Sequence, residues 1–177
     1  LVIDLRNNPG GNFDTVTDML KLLLPEGVIV STKDKEGNVE EVTCDGANEF
    51  DKPLAVLVNQ YSASASEILA GAIHDYKAGT LVGTKTFGKG IVQSSLEFVD
   101  GSGMKVTTAR YYTPSGECIH GVGIEPDVEI ELDEDAVTRY GINNLPHDHD
   151  AQLQKAIELR GGTPVLATAT PDEAEAE

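Results

Sequence analysis

Leu54–Tyr76, LAVLVNQYSASASEILAGAIHDY, is the stretch from which the architecture follows. Leu54 to Asn59 is apolar up to its last residue and of strand length, the pattern of a strand covered on both faces. A short Ser/Ala segment then leads into a helix expected from about Ala65 to Tyr76. The start of the chain repeats this order of strand, tight loop and helix. Leu1 to Leu5 is apolar except for Asp4, and NNPGG at Asn7–Gly11 is strong turn chemistry. From about Thr15 to Leu24 the residues Val16, Met19, Leu20 and Leu23 recur at helical spacing until Pro25 and Gly27 end the pattern.

Antiparallel pieces lie around these two units. Val28–Thr32 and Val39–Cys44 flank a KEGN turn, and Ile91–Phe98 and Met104–Tyr112 flank DGSG at Asp100–Gly103, so each pair reads as a hairpin. Thr80–Val82 is a short strand, and Asp150–Leu159 is a last helix closed by Gly161 and Gly162. Buried strands alternating with helices, together with hairpins, imply an α/β fold with a mixed β-sheet and packed helices. One domain is expected over residues 1–162. Residues 163–177 are small, proline-containing and acidic, the composition of a disordered tail.

A chain of 177 residues buries roughly 70% of the surface its unfolded form exposes, enough for one real core. No apolar run approaches the ~20 residues of a membrane span. Thirty acidic against thirteen basic residues give a net charge of −17, which repels phosphate backbones and anionic headgroups. Nucleic acid and membrane surfaces are therefore not expected partners. The chain opens on Leu1 inside an apolar strand pattern, as a fragment of a longer protein does. Cys44 and Cys118 are too few for a disulfide framework and read as unpaired thiols.

Three segments carry candidate chemistry. Ser64 falls where a buried strand passes into a helix, and the N–H of Ala65 stands at that helix's positive end. Ser64-x-x-Glu67 is equally a capping box, in which the hydroxyl only satisfies a first-turn amide. None of the four histidines lies in a segment resembling a catalytic loop, which leaves lysine as the candidate base. Lysine serves as a base only when neutral, and desolvation favours that form. Lys89, between Gly88 and Gly90 and beside Phe87 and Ile91, has such surroundings, although the same string also fits an exposed turn. Lys85 competes for the role but has polar neighbours in Thr84 and Thr86. Gln93 stands four residues after Lys89, so strand alternation would place both on one face, where a carboxamide orients an amine without fixing its charge. Gly10 and Gly11 can offer N–H groups to an oxyanion site shared with Ala65, or simply make a tight strand-to-helix connection. The GxGxxG and GxxxxGK patterns are missing from this loop, which argues against a nucleotide. His147 and His149, with Asp148 and Asp150, have the spacing of a solvated turn after Pro146, and no metal or cofactor is expected.

IDLRNNPGG at Ile3–Gly11, NQYSASASEILAGAIHDY at Asn59–Tyr76, VGTKTFGKGIVQ at Val82–Gln93 and ARYYTPSGECIHGVGIEPD at Ala109–Asp127 resemble, in order, the signature blocks of the tail-specific, or C-terminal processing, serine peptidases. The resemblance covers residues 1–130. It implies a crotonase-like core with Ser64 as nucleophile, Lys89 as general base, Gln93 supporting the lysine, and the amides of Gly10 and Ala65 as oxyanion donors. It also implies protein substrates cut near exposed apolar C-termini, outside the cytoplasm, by a full-length protein open to membrane anchoring. Members of that family typically carry an upstream PDZ domain that captures the substrate tail by strand addition. No such module is in this sequence, and a second copy completing the sheet, giving a homo-oligomer, is a further expectation. The alternative is a non-catalytic ligand- or peptide-binding module on the same fold. A pure binder has no need of Ser64, Lys89 and Gln93 together.

Overall fold

A computed structural model of the protein describes residues 1–164. The acidic tail expected over residues 163–177 lies, from residue 165 onward, outside the described residues. Parallel and antiparallel pairing occur as expected, divided between two four-stranded sheets. The first sheet is wholly parallel, in the order β1 (Val2–Asp4), β4 (Ala55–Val58), β5 (Thr80–Gly83), β8 (Val128–Glu129). The second is antiparallel, in the order β3 (Val39–Cys44), β2 (Gly27–Asp34), β7 (Gly103–Tyr112), β6 (Ile91–Glu97).

Every residue of β4 is buried because helices cover both faces of the parallel sheet. Strand alternation sends Val56 and Val58, with Leu81 of β5, toward α1 (Phe13–Leu20) and α2 (Ala65–Tyr76). Ala55, Leu57 and Val82 face the other way, onto Ala156 and Leu153 of α4 (Ala151–Leu159). Ala65 through Ile73 of α2 are all buried, and side chains such as Leu69 and Ile73 each contribute about 2 kcal/mol by leaving water. Lys77, at φ 53°, closes the helix in the left-handed conformation.

The first helix starts two residues earlier than its apolar spacing suggests, because the Asn12 side chain accepts from the Thr15 N–H and caps it. It ends at Leu20, and Leu23 and Leu24 continue as tight turns whose N–H groups donate to the Leu20 carbonyl. Three elements are not expected from the sequence: β8, a third helix and a single 3₁₀ turn at Ile142–Asn144. The two-residue β8 is too short to show a pattern. The third helix, α3 (Glu134–Tyr140), buries only Ala136 and so lacks an apolar stripe; its one legible signal is the Asp133 cap followed by two acidic residues.

Arg6 ties the end of β1 to the start of α4. Its guanidinium donates to both oxygens of Asp150, at 2.9 and 2.8 Å, to Asp4 at 2.7 Å and to Gln152 at 3.2 Å. Burial works against this charge, but the hydrogen bonds to Asp4 and Asp150 outweigh it and hold the pKa above its ordinary value. Asp150 also caps α4 by accepting from the Leu153 N–H. The start of α4 is thereby fixed to the parallel sheet.

Candidate active site

The loop between β4 and α2 is shaped by hydrogen bonds to the glycine loop after β1. The buried Ser62 hydroxyl donates to the Leu5 carbonyl at 2.7 Å, and the Ser66 hydroxyl donates to the Asn8 carbonyl at 3.0 Å. Asn59 and Asn7 exchange two further bonds, Asn7 N–H to Asn59 Oδ1 and Asn59 Nδ2 to Asn7 Oδ1. Two of the three alternate serines of SASAS are thus consumed in holding the loop. The middle one, Ser64, differs in kind. Its backbone lies at φ 58° and ψ −118°, a strained region for an L-residue, and its hydroxyl makes no cap hydrogen bond.

Ser64 and Glu67 do stand in capping-box relation, with Glu67 Oε2 accepting from the Ser64 N–H at 3.0 Å. The Glu67 N–H in turn meets the Ser64 carbonyl oxygen at 2.8 Å. Glu67 does far more than cap. It is fully buried, and its carboxylate also accepts from the Thr86 hydroxyl at 2.6 Å, the Gly88 N–H at 2.7 Å and the Lys89 N–H at 2.8 Å. Four donors converge on two oxygens, the full acceptor capacity of a carboxylate. One side chain therefore joins the Ser64 elbow to the Lys89 loop.

Gly10 packs directly under the elbow. A Cβ there would lie 2.6 Å from the Ala63 carbonyl oxygen and 2.8 Å from both the Ala65 nitrogen and the Ser64 Cβ, at a backbone φ of +100°. Only glycine fits. In the first turn of α2 the N–H groups of Ser66, Glu67 and Ile68 are all taken by backbone carbonyls, so Ala65 carries the amide left for a ligand. The Gly10 N–H donates at 2.9 Å to the exposed Asn8 side chain, which an incoming carbonyl oxygen would have to displace. Gly10→Ala is expected to lower stability by about 1–3 kcal/mol from the backbone conformation alone, with any hydrolytic turnover falling roughly 100-fold. Thermal melts and kcat would check both; a variant as stable and as active as wild type would contradict the close approach.

A hollow of about 300 Å³ opens here, walled by Gly11, Ser64, Ala65, Ile68, Gln93 and Tyr111 among others. Ser64, Ala65 and Gln93 thus share one cavity, and Gly10 abuts two of them. Lys89 joins the site through its main chain, held by Glu67, and is half-buried rather than enclosed. The alternation argument linking Lys89 to Gln93 does not apply, because β6 begins only at Ile91 and its register shifts between Val92 and Gln93. The loop, not strand period, sets their relation. Lys85 is exposed and pairs with Glu125 at 2.7 Å, away from these contacts. Among the described residues no group of three or more His, Cys, Asp or Glu side chains is placed to hold a metal, and Asp150 is engaged with Arg6. Cys44 and Cys118 are free thiols, the first buried.

A serine held in strain at a strand-to-helix turn, beside amides of a glycine loop, is the arrangement of serine-type hydrolases. The chain belongs to peptidase family S41, whose family model matches residues 1–130. It is 46% identical over 166 residues to the carboxyl-terminal-processing protease of Synechocystis sp., covering 94% of this chain and 38% of that protein. Against the chloroplastic C-terminal processing peptidase of Tetradesmus obliquus the identity is 45%, over 74% of this chain and 28% of the relative. The solved structure of the photosystem II D1 C-terminal processing protease superposes with a TM-score of 0.69 at 42% identity, over 82% of this chain and 40% of that one. The chain therefore spans less than two fifths of the length of these curated relatives. The resemblance carried by the four sequence blocks is a family membership.

Proposed function

We propose that this chain supplies the catalytic core of a serine endopeptidase that cuts proteins near exposed, apolar C-terminal tails. Ser64 Oγ attacks the scissile carbonyl while Lys89 Nζ takes its proton, and Gln93 orients the amine. The tetrahedral oxyanion rests on the amides of Ala65 and Gly10, the latter freed from Asn8. The proton on Lys89 passes to the leaving amine as the C–N bond breaks, leaving an ester on Ser64. Water, deprotonated by the same lysine, then releases the acid and restores the hydroxyl.

The observation that carries this reading is the uncapped Ser64 hydroxyl on a left-handed backbone at the start of a buried helix. A serine serving only to cap has no reason to bear that strain. The relatives' printed names support processing at C-termini, and a net charge of −17 disfavours acidic tails. Among the described residues no helix is long and apolar enough to cross a membrane, and an extracytoplasmic site of action is part of the proposal. The full-length protein, given one unfolded substrate with either an apolar or an acidic C-terminus, is expected to prefer the apolar form by roughly tenfold or more in kcat/KM. Equal rates would remove the tail preference, and no cleavage of either would remove the peptidase reading.

A further inference from the structure

Tyr111 lies on β7, a strand whose residues are mostly exposed, yet its own side chain is only 3% exposed. The phenolic oxygen sits 3.2 Å from the Ser64 carbonyl oxygen and also donates to the Lys89 carbonyl oxygen. One hydroxyl proton is therefore shared between the main chains of the two residues on which the proposed chemistry depends. Glu67 makes the complementary contacts, accepting from the N–H of Ser64 and the N–H of Lys89. Each of the two residues is therefore held at its N–H by one side chain and at its C=O by another. The Tyr111 N–H adds a bond to the Gly90 carbonyl at 3.2 Å, so the same residue also closes the end of the Lys89 loop.

We propose that Tyr111 is a positioning residue, which together with Glu67 sets the spacing between the Ser64 elbow and the Lys89 loop. The inference rests on the serine-peptidase reading of these two residues. Packing alone does not account for the hydroxyl, since a phenyl ring would fill the same space. A buried O–H needs acceptors, and the acceptors it has are these two carbonyls. Burial, and then the nearby Glu67 charge, push the phenol's pKa up, so the proton that makes the clamp is retained. Tyr111 also belongs to the strand that pairs with β6, so the clamp ties the Gln93 strand to the elbow.

The test is Tyr111→Phe in the full-length protein, assayed on the apolar-tailed unfolded substrate. Loss of the hydroxyl is expected to reduce kcat roughly 10- to 100-fold, with KM within about twofold, because binding surfaces stay while the attacking geometry loosens. Circular dichroism at the assay temperature restricts the comparison to folded protein. Amide hydrogen exchange at Lys89, read by mass spectrometry, is independent of turnover and is expected to accelerate roughly tenfold. Wild-type kcat with wild-type exchange overturns the proposal, as does a raised KM at unchanged kcat, which would make Tyr111 a binding residue. Cleavage that survives Ser64→Ala is a different failure, because it removes the peptidase reading on which the clamp rests.

Discussion

Ser64→Ala in the full-length protein is expected to leave substrate binding in place and to lower kcat by about 10⁴-fold or more, the loss that follows when a nucleophile acting in a unit is removed. The substitution keeps the Cβ and removes a hydroxyl that caps nothing, so the thermal midpoint is expected to stay near that of wild type. Activity and stability should therefore separate cleanly. Lys89→Ala is expected to match that loss. Lys89→Arg should do no better, because a guanidinium keeps its proton at any working pH and cannot accept one from serine. Mass spectrometry of products from an unfolded, apolar-tailed substrate reads all three, and cleavage persisting in any of them would falsify the Ser64/Lys89 assignment.

Glu67→Gln is expected to harm both fold and chemistry. Glutamine replaces one carboxylate oxygen with an NH₂ group, which then faces donors: two N–H groups converge on Oε2, and a hydroxyl and an N–H on Oε1. At a site with no solvent exposure those donors have no alternative partner. Lost charge-assisted hydrogen bonds of this kind cost about 3 kcal/mol in total, allowing for partial rearrangement through the Thr86 hydroxyl. The thermal midpoint should fall by roughly 6–12 °C for a domain of this size. Turnover at a temperature where the variant is folded should still drop roughly 100-fold, because the Lys89 loop loses its tie to the elbow. A Gln variant with wild-type melting and wild-type kcat would show that the four contacts do not govern the site.

Much of the architecture is legible along the chain because its signals are local. Val56, Leu57 and their neighbours form a run with no polar face, so the strand they make must be covered on both sides. The KEGN and DGSG turns announce their hairpins, and Asp150 marks the start of α4 by the capping chemistry it performs. Elements with weaker signals do not stand out along the chain, notably β8, with two residues, and α3, which has one buried side chain and only its Asp133 cap to mark it. The division into two sheets was also beyond the sequence, since strand direction in each pairing follows from crossovers that bring distant segments together.

For the site, the order of residues determined the inventory: a serine at a strand-to-helix junction, a glycine-flanked lysine, a glutamine four residues on, and a loop of small residues after the first strand. Those follow from turn chemistry and the polarity of helix ends, which act over a few residues. The tertiary structure alone decided how these parts are joined. Glu67 looks like half of a capping box and Tyr111 like one more strand aromatic until burial and long-range contacts place both between Ser64 and Lys89. A buried carboxylate or phenol takes whatever partners the packed chain brings within about 3 Å, and that choice is made in space rather than along the sequence.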